Sequence, residues 1–145
     1  MNYRLLVFLV VFISGCAEIP RLTEADAETW GARFNDEYAC KAAGGNRVRN
    51  EYLSEKDKEI VKHNQSLWFK EVNRRGLLSK HDQELIAEHK VAVGMSQCAL
   101  YVSWGKPLKE NKSVTGNMVH IQHVYRKNHY VYTVNGKVTS WQTIN

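Results

Sequence analysis

The stretch Val91-Ala92-Val93-Gly94-Met95-Ser96-Gln97-Cys98-Ala99-Leu100-Tyr101-Val102-Ser103-Trp104-Gly105-Lys106-Pro107 carries its own start and stop signals. The Ser96 hydroxyl is placed to accept from the first free N–H groups of a helix, Leu100 and Trp104 recur four apart, and Gly105 followed by Pro107 cannot continue the helix. The spacing therefore predicts a short helix between Ser96 and Gly105. The regular elements beyond Pro107 read as strands. The chain is organised around this junction.

Upstream, three caps announce helices. Thr23-x-x-Asp26 has the form of a capping box with Asp in place of Glu, and Trp30 and Phe34 fall four apart on one predicted face. Lys41 to Asn50 reads as a break, with Gly44-Gly45-Asn46 as its turn. Ser54-x-x-Asp57 opens the longest predicted helix, from about Glu55 to Arg75, with Ile60, Leu67, Trp68 and Val72 at helical spacing and Gly76 as its stop. Aromatics in that pattern, Trp68 and Phe69, are read as core. Ser79-x-x-Asp82 then begins a helix carrying Leu85 and Ile86.

Downstream, Leu108 to Gly116 is polar and charged and reads as a mobile loop. Three strands are expected after it, at Met118 to Arg126, His129 to Val134 and Lys137 to Ile144, with Asn135-Gly136 as a two-residue hairpin turn. A tight turn would pair Tyr132 with Thr139 and Tyr130 with Trp141. That register places Tyr130, Tyr132, Val134 and Trp141 on one face, the one expected to be covered by helices.

These signals resemble a family. Gly94-Met95-Ser96, then Leu100, then Gly105-x-Pro107 is similar to the signature of the BamE/SmpA/OmlA-like small outer-membrane lipoproteins. Gln122-His123-Val124-Tyr125 and Tyr130-Val131-Tyr132 with Asn135-Gly136-x-Val138 look like that family's closing strands, although His123 stands where an aromatic such as Trp is frequent there. The resemblance covers about residues 79–145. It implies an α+β fold, a helix-helix-three-stranded antiparallel sheet, and a non-catalytic accessory or scaffold role at the periplasmic face of the outer membrane. In the better-known members that role supports the machinery that inserts β-barrels.

The first residues fit the same compartment. Arg4 gives a positive start, and Leu5 to Ile13 is an unbroken run of nine apolar residues, too short for a bilayer span of about 20. Ile13-Ser14-Gly15-Cys16 resembles a bacterial lipobox, so residues 1–15 are expected to be a lipoprotein signal peptide and Cys16 the lipidated N-terminus of the mature chain. The several acyl chains of such a cysteine anchor a protein stably where one would not. Ala17, rather than the Asp that retains enteric lipoproteins at the inner membrane, favours the outer membrane. Residues 16–22 read as a tether, 23–78 as a helical N-terminal region, and 79–145 as the α+β domain.

The net charge of +5 falls to +4 once residues 1–15, with one basic and no acidic residue, are removed. No block of five like charges occurs, so the charge reads as a solvated surface and no nucleic-acid partner is expected. With Cys16 assigned to the lipid, Cys40 and Cys98 remain. An exported compartment could join them, constraining the unfolded chain by about 4 kcal/mol, or Cys98 could be a free buried thiol beside Ala99. The sequence leaves both open.

Chemistry is sparse. Of the six histidines, His120 and His123 lie an odd number of positions apart and would point to opposite faces of a strand, while His123 and His129 make only two ligands. Neither G-x-S-x-G nor a phosphate loop is present. No cofactor, metal or catalytic role is expected. Trp104 continues the Leu100 face and would pack beneath the sheet; left exposed beside Gly105, it would join the loop Leu108 to Gly116 and the strand face opposite the helices in an aromatic and polar surface suited to contact with another protein. The expected partners are the outer membrane, through the lipid, and envelope proteins. The alternative is a periplasmic inhibitor or ligand-binding module that uses an open sheet face.

Overall fold

The structure, a computed structural model, describes residues 18–45 and 52–144, with Trp30 described by its backbone alone. The signal-peptide segment, Cys16 and Asn46 lie outside the described residues. Five helices, α1 (Glu24–Arg33), α2 (Asp36–Gly44), α3 (Glu55–Arg74), α4 (Lys80–Ala87) and α5 (Gln97–Trp104), precede four strands, β1 (Lys109–Thr115), β2 (Met118–Val124), β3 (His129–Val134) and β4 (Lys137–Thr143). The fold is α+β, with one antiparallel sheet in the order β1-β2-β3-β4.

Helix starts follow the caps. Ser54, Ser79 and Ser96 each accept from the backbone N–H three residues on, and Ser79 with Asp82 forms a reciprocal capping box. Asp82 does more than cap its own helix. Its second oxygen accepts the Ser96 N–H at 3.0 Å, which locks the start of α5 to the start of α4. Burial pushes the Asp82 carboxyl up, but the N–H groups of Ser96 and Ser79 outweigh it and hold the group below its usual range.

The Gly94-Met95-Ser96 signature has a defined task. Gly94, at φ 89°, donates to Val138 O and Met95 O accepts from Val138 N, both at 2.8 Å, so this short segment covers the outer edge of β4 before α5 begins. Gly105, at φ 82°, closes α5 by donating to Tyr101 O at 2.7 Å. Met95 and Leu100 are fully buried between the sheet and the helices.

The helices stack behind α5. Leu67, Trp68 and Val72 of α3 join Ala39, Cys40 and Ala43 of α2 in the core, and Phe69 packs against it, as the sequence reading has them. The Cys40 and Cys98 sulfurs are bonded, tying α2 to α5 and thereby the N-terminal helices to the sheet-bearing part. One turn further along, Gly44 approaches Tyr101 so closely that a methyl group there would lie 2.5 Å from the Tyr101 carbonyl carbon. Pro20 to Leu22, within the expected tether, are stitched to α3: Asn64 accepts from Leu22 N and donates to Pro20 O, both at 2.9 Å.

Four readings are corrected. Leu108 to Gly116 is not a loop; it contains β1, an edge strand that pairs with β2 along its whole length, so the sheet has four strands rather than three. The break expected from Lys41 begins later, because α2 continues to Gly44 after a turn at Phe34 and Asn35; Asn35 caps α2, and Phe34 lies beyond the end of α1. The register after the Asn135-Gly136 turn is shifted by a bulge at Thr139, so Tyr132 faces Ser140 and Tyr130 faces Gln142. The helices cover the other face from the one expected: it carries His123, Val131, Thr133 and Val138, all buried, while Tyr130, Tyr132 and Val134 lie on the opposite, open face. Trp141 stands opposite Val131 but remains 53% exposed. Small and β-branched side chains fit beneath the close-lying α5, whereas tyrosines can remain half in water with their hydroxyls bonded.

Candidate functional site

Three features could carry function: a polar network under the sheet, the open sheet face, and a cleft at one end of the sheet.

The network is built by strand pairing and the disulfide together. Register places Glu110 of β1 opposite His123 of β2, and α5 lays Tyr101 over both. Glu110 Oε1 accepts from Tyr101 Oη at 2.6 Å and His123 Nδ1 at 2.9 Å, and Oε2 accepts from Lys41 Nζ at 2.6 Å. Lys41 follows Cys40, so the disulfide also holds its ammonium, 4.9 Å from the Tyr101 ring centroid. His123 Nε2 meets Thr133 Oγ1 at 3.0 Å, and Gln97 donates to Tyr101 Oη, which closes the circuit.

Electrostatics follow from these contacts. Burial raises the Glu110 carboxyl, but His123, Lys41 and Tyr101 overcome it and hold the group at about 2. Burial first, and Glu110 next, push the Tyr101 hydroxyl well above the phenol range. Desolvation pulls Lys41 down, yet Glu110 and Glu37 leave it raised. Among the described residues no buried side-chain nitrogen or oxygen lacks a hydrogen-bond partner. These hydrogen bonds brace α2 and α5 against β1, β2 and β3.

A second brace joins α1, α2 and α3. Glu71 is buried and receives Arg74 Nε at 2.7 Å and Arg75 Nε at 2.8 Å. Arg74 most strongly, then Arg75, hold its carboxyl at about 2 against the opposing effect of burial. Arg75 also reaches the carbonyls of Gly31 and Phe34 at the end of α1 and Asp36 at the start of α2, fixing the corner between them.

The open sheet face carries a row of side-chain hydrogen bonds across all four strands. Asn111 donates to Gln122 at 2.8 Å, and the Tyr132 hydroxyl accepts from Gln122 at 3.1 Å and Gln142 at 3.0 Å. His120 shares this face while His123 points beneath it, as their odd spacing requires. Among the described residues no group of three or more His, Cys, Asp or Glu is placed to hold a metal ion.

The cleft lies where α5 ends, β1 begins and β2 turns into β3. It has a volume of about 300 Å³ and a mostly apolar lining. Trp104 is neither wholly beneath the sheet nor free on the surface. Its ring meets Tyr125 edge-on at 5.5 Å and His129 at 5.8 Å, and its Nε1 donates to His89 O at 3.1 Å. Tyr125 is fixed in turn by donating to Gly105 O at 3.1 Å. Leu108 forms the outer lip and is 56% exposed. Lys106, Arg126 and Lys127 complete the lining, and no acidic residue takes part in it.

Of the residues singled out from sequence, Trp104, Gly105 and Tyr125 meet at this cleft. Gly94, Met95 and Ser96 serve the β4 edge instead, and Asn135 and Gly136, at φ 47° and 75°, form the hairpin turn at the far end. Leu108 reads from sequence as part of a contact loop and Lys127 as a turn residue, but nothing in a Lys-Asn turn, a lone Leu before a polar run or Lys106 places them together at a cleft. No helix of the described residues is long and apolar enough to cross a membrane. No protein-family model, curated protein or solved structure matches this chain.

Proposed function

We propose that this protein is a lipid-anchored accessory or scaffold protein of the bacterial envelope, held at the periplasmic face of the outer membrane through Cys16 and binding envelope proteins without catalysing a reaction. The observation that carries the reading is the contrast between interior and surface. Glu110, His123, Tyr101 and Lys41 bond to one another beneath the sheet, whereas exposed Leu108, half-buried Trp104 and the half-buried tyrosines of the open sheet face offer an ordered apolar and aromatic surface. The lipobox-like Ile13-Ser14-Gly15-Cys16 supports the anchor, and the part played by Gly94-Met95-Ser96 at the β4 edge is compatible with BamE-like kinship. Support of β-barrel insertion is the role that such kinship brings with it.

The test is in-cell crosslinking, extraction of outer membranes in detergent and identification of what copurifies with the tagged protein. Envelope proteins in near-equal amounts are expected. A soluble periplasmic enzyme as the main partner would replace the scaffold reading with an inhibitor, which the cleft could also serve. In parallel, Cys16→Ala should leave the protein uncut or soluble; unchanged membrane attachment would refute the lipid anchor.

A further inference from the structure

We infer that the cleft bounded by Trp104, Leu108 and Tyr125 is a docking site for an acidic segment of a partner protein, one that inserts an apolar side chain between these residues and sets its carboxylates against Lys106 and Lys127. This rests on the binding-protein reading above and supplies the chemistry of the partner.

Three observations carry it. First, the cleft is shaped for an inserted group. About 300 Å³ of mostly apolar space is held open by Trp104, whose indole is pinned to His89 O, and by Tyr125, pinned to Gly105 O, so neither ring is free to collapse inward. A volume of that order accepts one large side chain and its immediate neighbours rather than a cofactor. Second, the charge is of one sign. Three of the seven lining residues are cationic and none is acidic. Lys106 and Lys127 form no ion pair with any other described residue, although ion pairs are common elsewhere on this surface. An apolar cleft with a basic rim selects a partner that offers the reverse, an apolar anchor flanked by carboxylates.

Third, Lys127 stands where local chemistry disfavours it. Lys127 and Asn128 adopt φ 57° and 54° in the β2–β3 turn, and His129 N donates to Arg126 O at 3.4 Å. Two left-handed residues in succession call for Asn-Gly, as the Asn135-Gly136 turn of the same sheet illustrates. A lysine in that conformation is strained relative to glycine. The strain coincides with a cation at the cleft rim, and strained positions tend to gather at functional sites.

The test uses a displayed library of random twelve-residue peptides selected on the purified residues 18–145. The expected outcome is enrichment of sequences with Asp or Glu on both sides of an aromatic or aliphatic residue. Binding of a labelled peptide from that set should weaken about tenfold or more with Leu108→Ser and about two- to fivefold with each of Lys106→Gln and Lys127→Gly. Circular dichroism and thermal melting confirm folding of each variant, and Lys127→Gly in particular removes strain. Selection of peptides without acidic residues, absence of enrichment over an unrelated bait, or binding undiminished in the three variants would overturn the proposal. So would preferential binding to phosphatidylglycerol vesicles over the peptides. A partner docked on the open sheet face would still copurify from cells carrying Leu108→Ser, so the cleft can fail while the scaffold reading stands. An acidic soluble enzyme captured at the cleft would do the reverse.

Discussion

Gly44→Ala probes the packing on which the rest of the fold depends. In an isolated helix this change should stabilise, because alanine is favoured over glycine by about 0.5–1 kcal/mol. Here the new methyl carbon would stand 2.5 Å from the Tyr101 carbonyl carbon and 3.2 Å from Val102 Cα, and closer still to the Tyr101 oxygen. Favourable carbon contacts begin at about 3.5 Å, and the Tyr101 oxygen is the nearest atom, so α2 and α5 must part by more than about 1 Å. The obstructing atoms are backbone and cannot rotate aside. Separation is resisted by the Cys40–Cys98 bond one turn away and by Lys106 N donating to Gly45 O at 2.9 Å. Overpacking of this kind costs about 1–3 kcal/mol, and the rigidity on both sides places it at the upper end. After the helix-propensity gain, a net loss of about 2 kcal/mol remains, or about 5–10 °C in Tm for a domain of this size. Urea and thermal melts under non-reducing conditions measure it. With Cys40 and Cys98 both changed to Ser the helices can yield, so the same substitution should cost less, a coupling that a double-mutant cycle reads directly. A Gly44→Ala variant as stable as the wild type would refute the close approach of α2 to α5.

Reducing the Cys40–Cys98 bond, whose cysteines are 58 positions apart, should lower stability by up to about 4 kcal/mol in denaturant melts with and without dithiothreitol; no change in midpoint would mean the bond constrains nothing. Lys127→Gly should raise stability by about 1 kcal/mol through relief of the left-handed conformation, and a lower Tm would contradict the turn geometry. Glu71 and Glu110 are both held at about 2 in the fold, below their unfolded values near 4.5, so each stabilises fully above about pH 4.5 and loses that contribution as pH falls toward 2. Acid titration of urea midpoints should show this loss in that window, and Glu110→Gln combined with Glu71→Gln should flatten it.

Helix termini were the most legible part of this chain because their signals are local. Ser54, Ser79 and Ser96 each meet the backbone three residues ahead, and Gly105 needs only its own positive φ. The Asn135-Gly136 turn was legible for the same reason. The cap at Asn35 was equally available, with Asp36 and Glu37 behind it, but the break expected from Lys41 obscured so short a helix. β1 was not legible. Lys-Glu-Asn-Lys-Ser-Val-Thr is an edge strand with little buried side chain, so the apolar alternation that reveals a strand is missing. The covered face of β3 was not legible because Tyr130, Tyr132 and Val134 make as apolar a stripe as Val131 and Thr133, and the bulge at Thr139, which moves Trp141 away from Tyr130, has no residue signature. Once β1 is mistaken for a loop, the Glu110 network is lost with it. Its partners Lys41, Tyr101 and His123 come from α2, α5 and β2, and long-range register alone brings them together.

The most direct test of the binding reading is a photo-crosslinking amino acid placed in living cells at Leu108 on the cleft, at Tyr132 on the open sheet face, and at exposed Lys62 on α3 as a control. The account predicts a discrete adduct with an envelope protein from Leu108 and none from Lys62. An adduct from Tyr132 alone would move the partner to the sheet face, and the absence of any adduct at Leu108 and Tyr132 alike would contradict the claim that this protein works by presenting its surface to another.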